Sequence, residues 1–183
     1  MARTTNWRIR VVNTALAAVL LIGVSLAAAK SKGILFPDWS GPTAGTYDKP
    51  AAELGKKVTK GRPWSVETVA GAILGKTLPG KPVSMVGEII DYSCYLQVGK
   101  HGDKHRGCGQ KCAAVGQPIG LLAKNGALYM LIDEEHNSRR DGLTTFRKQA
   151  IDNMAKIVRV NGTYSEVQGQ KAIYVQGSVK KKK

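Results

Sequence analysis

The sequence lacks the motifs by which most enzyme classes are recognised. It contains no P-loop, no Rossmann-type glycine turn, no Gly-x-Ser-x-Gly elbow and no His-Glu-x-x-His helix. The balance is therefore against an enzyme, although the question stays open. The absence of Cys-x-x-Cys-His argues against a covalent c-type haem. Cysteine is scarce, and three in 183 residues are too few for a disulfide scaffold.

Aromatic and acidic residues are also few. Aromatic side chains make up 6% of the chain, which argues against a large surface for stacking nucleic-acid bases. The 28 Lys and Arg residues outnumber 13 Asp and Glu residues, and no acid precedes Asp38. The resulting net charge of +15 favours an acidic protein partner or an anionic lipid surface.

The first 29 residues predict a membrane anchor. Residues 1–10 carry three arginines, and residues 11–29 form an apolar run without a charge. As a helix this run would span roughly 28 Å, about one hydrocarbon core. The arginines favour a cytoplasmic N-terminus. A cleaved signal peptide is the alternative, because the run ends in Ala27-Ala28-Ala29.

Either interpretation of the N-terminus places the working domain outside the cytoplasm. We predict a single-pass protein of the cell inner membrane whose main domain is periplasmic or otherwise extracytoplasmic. Export adds to the argument against a nucleic-acid partner.

Composition divides the rest of the chain into a tether, a β domain and a tail. Glycine and proline interrupt residues 30–82, within which residues 65–74 have the pattern of a short helix. Residues 83–179 are the predicted β domain. The lysine tail, residues 180–183, is predicted to be disordered and solvated.

The β domain has the pattern of a small barrel. Residues 144–154 have helical spacing, and a second short helix is predicted over residues 110–115. Five apolar or alternating runs predict strands at 83–92, 119–123, 127–132, 157–160 and 172–175. A helix between the third and fourth of five strands is typical of an OB-like barrel. The predicted fold is mainly β, with one or two short helices, after a single transmembrane helix.

The cysteines and two of the three histidines are concentrated in one insertion, residues 94–116, between the first and second predicted strands. A metal site there would use thiolates and an imidazole, a set that suits zinc, or copper if fewer ligands bind. Basic neighbours and the start of a helix favour the thiolate form of Cys108 and Cys112. The candidate ligands are Cys94, His105, Cys108 and Cys112, with His101 as a replacement for His105.

Two other interpretations of the cysteines stay open. In an oxidising compartment, Cys94 can form a structural disulfide with Cys108 or Cys112 and leave one free thiol. The Cys108–Cys112 pair can also exchange disulfides, although three residues separate the two cysteines instead of the usual two. The third histidine, His136, follows three acids, and a solvated loop is favoured there over a hard-metal site.

Some of these segments are similar to known families. Gly87–Cys94, the trio His105, Cys108 and Cys112, and Gly116–Gly120 resemble small exported bacterial domains of OB-like type with a Cys…His-x-x-Cys-x-x-x-Cys insertion. This resemblance implies a fold and a shared site without an activity. The anchor-plus-barrel plan resembles the haem chaperones of cytochrome c maturation, but Tyr174–Gly177 lacks their His-x-x-x-Tyr motif. The pair Cys108 and Cys112 alone is similar to that of copper-delivery proteins, whose fold differs.

Two functional hypotheses follow from these features. The first is a membrane-tethered extracytoplasmic domain that binds a metal or uses its thiols. Such a domain would serve as an accessory subunit or assembly factor of a larger membrane electron-transfer complex. The alternative is a non-catalytic structural subunit with a disulfide-locked loop and a basic docking surface.

Overall fold

The folded part of the chain is built mainly from β-strands. The structure, a computed structural model, describes residues 40–59, 75–76, 78–133 and 143–177. Within these ranges the strands are β1 (Glu53–Leu54), β2 (Lys81–Asp91), β3 (Ile119–Ala123), β4 (Leu128–Asp133), β5 (Ile157–Val167) and β6 (Gln170–Val175). The same ranges contain three short α-helices, α1 (Tyr92–Val98), α2 (Arg106–Ala114) and α3 (Thr145–Asp152), and a 3-10 turn, Asp103–His105.

Five of the strands close into a barrel. β2 pairs antiparallel with both β3 and β5, and β3 pairs antiparallel with β4. β6 closes the ring, parallel to β4 and antiparallel to β5. Each barrel strand therefore has a neighbour on both sides, which removes the open edges of a flat sheet. The short β1 runs parallel to the first half of β5, along the edge that β6 does not cover.

The core fills the barrel and extends under α3. Ile89, Leu121, Val158 and Ile173, from four different strands, are fully buried. The α3 helix begins after Thr144, whose hydroxyl accepts a hydrogen bond from the Arg147 backbone N–H as an N-cap should. Its inner face joins the core cluster through Phe146 and Ala150.

The predicted elements of the β domain are confirmed with shifted ends. The strand predicted at 157–160 continues to Val167. Its second half was not predicted because Asn161, Thr163 and Ser165 are polar, although all three are buried. There are three α-helices in the described residues instead of one or two, because the chain turns directly from β2 into α1. The predicted tether also contributes to the domain, since Leu54 of β1 lies in the core.

Several predictions fall on residues that the structure does not describe. These are the membrane span at 11–29, the helix at 65–74, His136 and the tail at 180–183. None of the helices in the described part of the chain has the length and apolarity to span a membrane.

The closure of the barrel predicts a sharp effect at Gly162. A Cβ atom at this position of β5 would collide with the backbone carbonyl oxygen of Tyr174 on β6. We expect Gly162→Ala to lower the free energy of unfolding by about 1–3 kcal/mol, the usual cost of overpacking. Gly107→Ala is the matched control, because its Cβ meets nothing within 4 Å and α2 gains up to about 1 kcal/mol of helix propensity. Urea denaturation followed by circular dichroism measures both, and equal midpoints for the two variants would contradict this account of closure.

Candidate metal centre

The centre of the site is an acid at the junction of β2 and α1. Asp91 is the last residue of β2, and this residue is only 2% exposed. Its Oδ1 accepts a hydrogen bond from the Cys94 backbone N–H at 3.0 Å, which caps α1. The α1 helix ends at Gly99, which adopts the left-handed conformation that glycine tolerates best. The Asp91 cap therefore sets where Cys94 lies, one turn into the helix.

A buried histidine faces this acid. His105 ends the 3-10 turn and is 7% exposed, and its Nε2 lies 4.0 Å from Oδ2 of Asp91. Neither atom has a hydrogen-bond partner within the described ranges. A buried polar atom without a partner costs about 1–3 kcal/mol. One ion with bonds of about 2.0–2.2 Å can lie between the two atoms, and a tetrahedral angle at that ion would bring them about half an ångström closer together.

Cys94 completes a group of three possible metal ligands. Ligand atoms of Asp91, Cys94 and His105 all lie within 4.8 Å of one another. One carboxylate, one thiol and one imidazole are compatible with a bound metal. Asp91 and His105 are buried, and Cys94 is partly exposed, so the group opens toward the surface on the cysteine side.

The α2 helix carries the other two cysteines, Cys108 and Cys112, near this group but not within the 4.8 Å that its three ligand atoms share with one another. Gln110 and Arg147 hold α2 against α3, by donating to the carbonyl oxygens of Ile151 and Ala113 respectively. Gly109 allows the close approach, because a Cβ there would lie 3.0 Å from Met154 Sδ and 3.7 Å from Asp91 Cβ. Cys112, partly buried, interacts with the Asp91 carboxylate and with Cys108, which is exposed one turn earlier.

The acid reverses the expected protonation of Cys112. A hydrogen bond to Asp91, then burial and the negative charge of that acid, raises the pKa of Cys112 to about 11. Burial, followed by the charge of Asp91, also raises the pKa of Cys94. The prediction that helix start and basic neighbours favour the Cys112 thiolate was therefore wrong. Without a bound cation these thiols keep their protons, and a metal would displace them.

Burial also controls the charge of the histidine. Loss of solvent lowers the pKa of His105, and the opposing attraction of Asp91 is the smaller effect. The imidazole is therefore biased toward its neutral form, which is the form that binds metals.

His101 is held elsewhere, by a second buried acid. Its Nδ1 lies 3.0 Å from Oε2 of Glu88, whose Oε1 accepts the Gly102 backbone N–H at 2.7 Å. The Ser40 hydroxyl donates to the His101 carbonyl oxygen, and the Asp103 N–H donates to the Gly41 carbonyl at 2.8 Å. Among the described residues His101 is absent from the group of possible ligands, so its prediction as a replacement for His105 is not supported by the geometry.

Sequence reasoning therefore found the cysteines and His105 but missed Asp91 and Glu88. Both acids lie in the apolar run predicted as the first strand, where an acid is unexpected. Asp91 also stands three residues before Cys94, the position of a helix N-cap. These two signals were visible in the sequence.

The structure holds Cys94, Cys108 and Cys112 as free thiols. It therefore shows neither of the disulfides that the sequence allows, and disulfide exchange at Cys108–Cys112 stays a prediction.

Comparison with known proteins adds no assignment. The chain matches no protein-family model, no curated protein and no solved structure. Only the geometry of this chain therefore bears on its function.

The raised pKa of Cys112 predicts unequal reactivity in the metal-free protein. Iodoacetamide attacks thiolates, so at pH 8 we expect exposed Cys108 to be alkylated well before Cys112, whose rate should rise with pH toward 11. Asp91→Asn removes the main cause of the shift and should speed the alkylation of Cys112 at pH 8. Peptide mapping by mass spectrometry gives both rates. A Cys112 rate that Asp91→Asn leaves unchanged would show that the acid does not control this thiol.

Proposed function

We propose that this chain binds one borderline divalent metal ion of the zinc type through Asp91, Cys94 and His105. The observation that carries the proposal is the pair of buried, unpartnered atoms, Asp91 Oδ2 and His105 Nε2, facing each other across 4.0 Å. A cation between them would satisfy both atoms and balance the buried carboxylate. Cys112 is the candidate fourth ligand, because the Asp91 carboxylate is near enough to raise the pKa of its thiol.

The mixture of donor atoms favours zinc over copper. Oxygen, nitrogen and sulfur donors together suit Zn²⁺, which accepts all three in a tetrahedral site. Cu(I) prefers soft thiolates and would draw on the cysteines without needing the carboxylate or the imidazole. The buried and central position of Asp91 therefore supports zinc, with copper as the second metal to test.

The setting of the site is part of the proposal. The strand order β2-β3-β4-β6-β5 with α3 between β4 and β5 supports an OB-like barrel. The charge-free run at residues 11–29 supports a tethered, extracytoplasmic domain. On this basis the chain serves as a metal-binding accessory subunit or assembly factor of a membrane electron-transfer complex.

Two histidines four residues apart provide a matched test of the ligand set. We expect His105→Gln to weaken zinc binding by more than the roughly 10- to 100-fold typical of a residue that only orients a ligand. His101→Gln keeps a hydrogen-bond donor for Glu88. Its zinc affinity should therefore stay within about three-fold of the wild-type value, a smaller change than the roughly 10- to 100-fold range. Full-length protein in mild detergent, titrated with zinc against a competing chelator, gives both affinities.

The same titration can overturn the proposal. Wild-type protein that binds no zinc and no Cu(I) would leave the basic docking subunit as the better hypothesis. Copper binding that His105→Gln and Asp91→Asn leave unchanged would instead place the metal on the cysteines alone.

The anchor is tested separately, in bacterial membranes. The full chain should stay in the membrane pellet after extraction with alkaline carbonate, and protease should digest its domain only after the outer membrane is permeabilised. The Leu20→Arg/Leu21→Arg variant should leave the pellet, because each arginine costs about 2.5–3.5 kcal/mol at the centre of a span. Release of the wild-type protein by carbonate would contradict the anchor and favour a cleaved signal.

A further inference from the structure

The possible ligands around Asp91 form a series from buried to exposed. Asp91 and His105 lie at the bottom, 2% and 7% exposed. Cys94 and Cys112 are partly exposed, and Cys108 is exposed. Neither Cys108 nor Cys112 belongs to the group whose ligand atoms lie within 4.8 Å of one another. Cys112 is the proposed fourth ligand, so the place of Cys108 next to the centre is the one left unexplained.

Cys108 nevertheless lies near both inner cysteines. Its thiol is close enough to contribute to the raised pKa of Cys94 and of Cys112. Cys108 and Cys112 are four residues apart on α2, so their side chains lie on the same face of the helix. A metal ion bound at Cys108 would have Cys112 and then Asp91 within reach.

The surface around Cys108 is basic. Lys100, Lys104, Arg106 and Lys111 are all exposed in the loop and helix that surround it, and Asp103 is the single acid in that stretch. Such a surface attracts anions and repels free metal cations. The charge therefore favours a metal that arrives as an anionic complex.

We propose that Cys108 is the exchange ligand of this centre, through which zinc is taken from anionic thiolate complexes and passed to the inner ligands. The inference rests on the metal centre proposed above and adds the route and the donor. The donor class is a thiolate complex with net negative charge, either a small molecule or the cysteines of an acidic protein.

The exchange is a ligand substitution without oxidation or reduction. The Cys108 sulfur forms a bond to zinc while one bond from zinc to a donor thiolate breaks, and the departing thiolate takes the proton that Cys108 releases. The same substitution at Cys112 and then at Cys94 removes the remaining donor thiolates from zinc, which stays Zn²⁺ throughout. Asp91 and His105, the two most buried of the proposed ligands, then hold the ion at the buried end.

The test separates rates from affinities in the full-length chain. Zinc is supplied as its mercaptosuccinate complex, as zinc metallothionein, or as the aqueous ion, and transfer is followed by stopped flow. Cys108→Ser should slow transfer from a thiolate donor at least about ten-fold, because a hydroxyl replaces a thiolate nucleophile. For Cys108→Ser, the rate of loading from the aqueous ion and the equilibrium affinity for zinc should both stay within about three-fold of the wild-type values. Cys94→Ser should instead lower the equilibrium affinity for zinc.

The two donors identify the source. A Cys108→Ser defect with mercaptosuccinate alone indicates a small-molecule donor, and a defect with metallothionein alone indicates a protein donor. The anionic small-molecule donor should also transfer more slowly at high salt and to a Lys104→Gln/Lys111→Gln variant, by up to about ten-fold.

Each remaining outcome has a defined meaning. Transfer rates that Cys108→Ser leaves unchanged for every donor would overturn the exchange role. A loss of equilibrium affinity as large as that of Cys94→Ser would make Cys108 a permanent ligand and would also overturn it. Wild-type protein without zinc affinity would instead refute the metal centre itself, which the titration of the histidine variants shows independently.

Discussion

The site depends on one buried carboxylate at the point where the barrel ends and the insertion begins. Asp91 belongs to β2 by its backbone and to α1 by its side chain, which caps that helix at Cys94. The same carboxylate faces His105 and controls the proton of Cys112. Because β2 pairs on both sides within a closed barrel, the carboxylate has a fixed position around which the insertion folds. The barrel thus fixes the position around which Cys94, His105 and Cys112 are arranged.

A second acid on the same strand holds the insertion in place. Glu88, 2% exposed, binds the backbone of Gly102 and the ring of His101, and the segment at Ser40 and Gly41 holds the loop from the other side. A side chain at Gly102 would collide with that segment. The two acids have separate positions, since Glu88 fixes the loop that leads to His105 and Asp91 faces His105 itself. Two histidines of similar sequence context thereby acquire different roles.

The barrel was predictable from the sequence to the extent that its strands are apolar. The run at 119–123 is bounded by Pro118 and a turn, and it coincides with β3. The second half of β5 was missed because its buried residues are polar. Their partners are distant in sequence: Asn161 donates to Glu53 at 2.7 Å, and Ser165 donates to the Pro79 carbonyl at 2.7 Å. Local patterns cannot show a hydrogen bond that spans more than 80 residues.

The energetics of that carboxylate connect the fold to the function. An ionised carboxylate in a buried place is costly unless a counter-charge or several donors face it. Asp91 has one backbone donor, two thiols whose protons it retains, and an imidazole that burial biases toward neutrality. No full positive charge is among these partners in the described part of the chain. A divalent cation would supply this charge and take the place of the thiol protons. The cost of burying the carboxylate without a counter-charge would therefore become a gain in the free energy of metal binding.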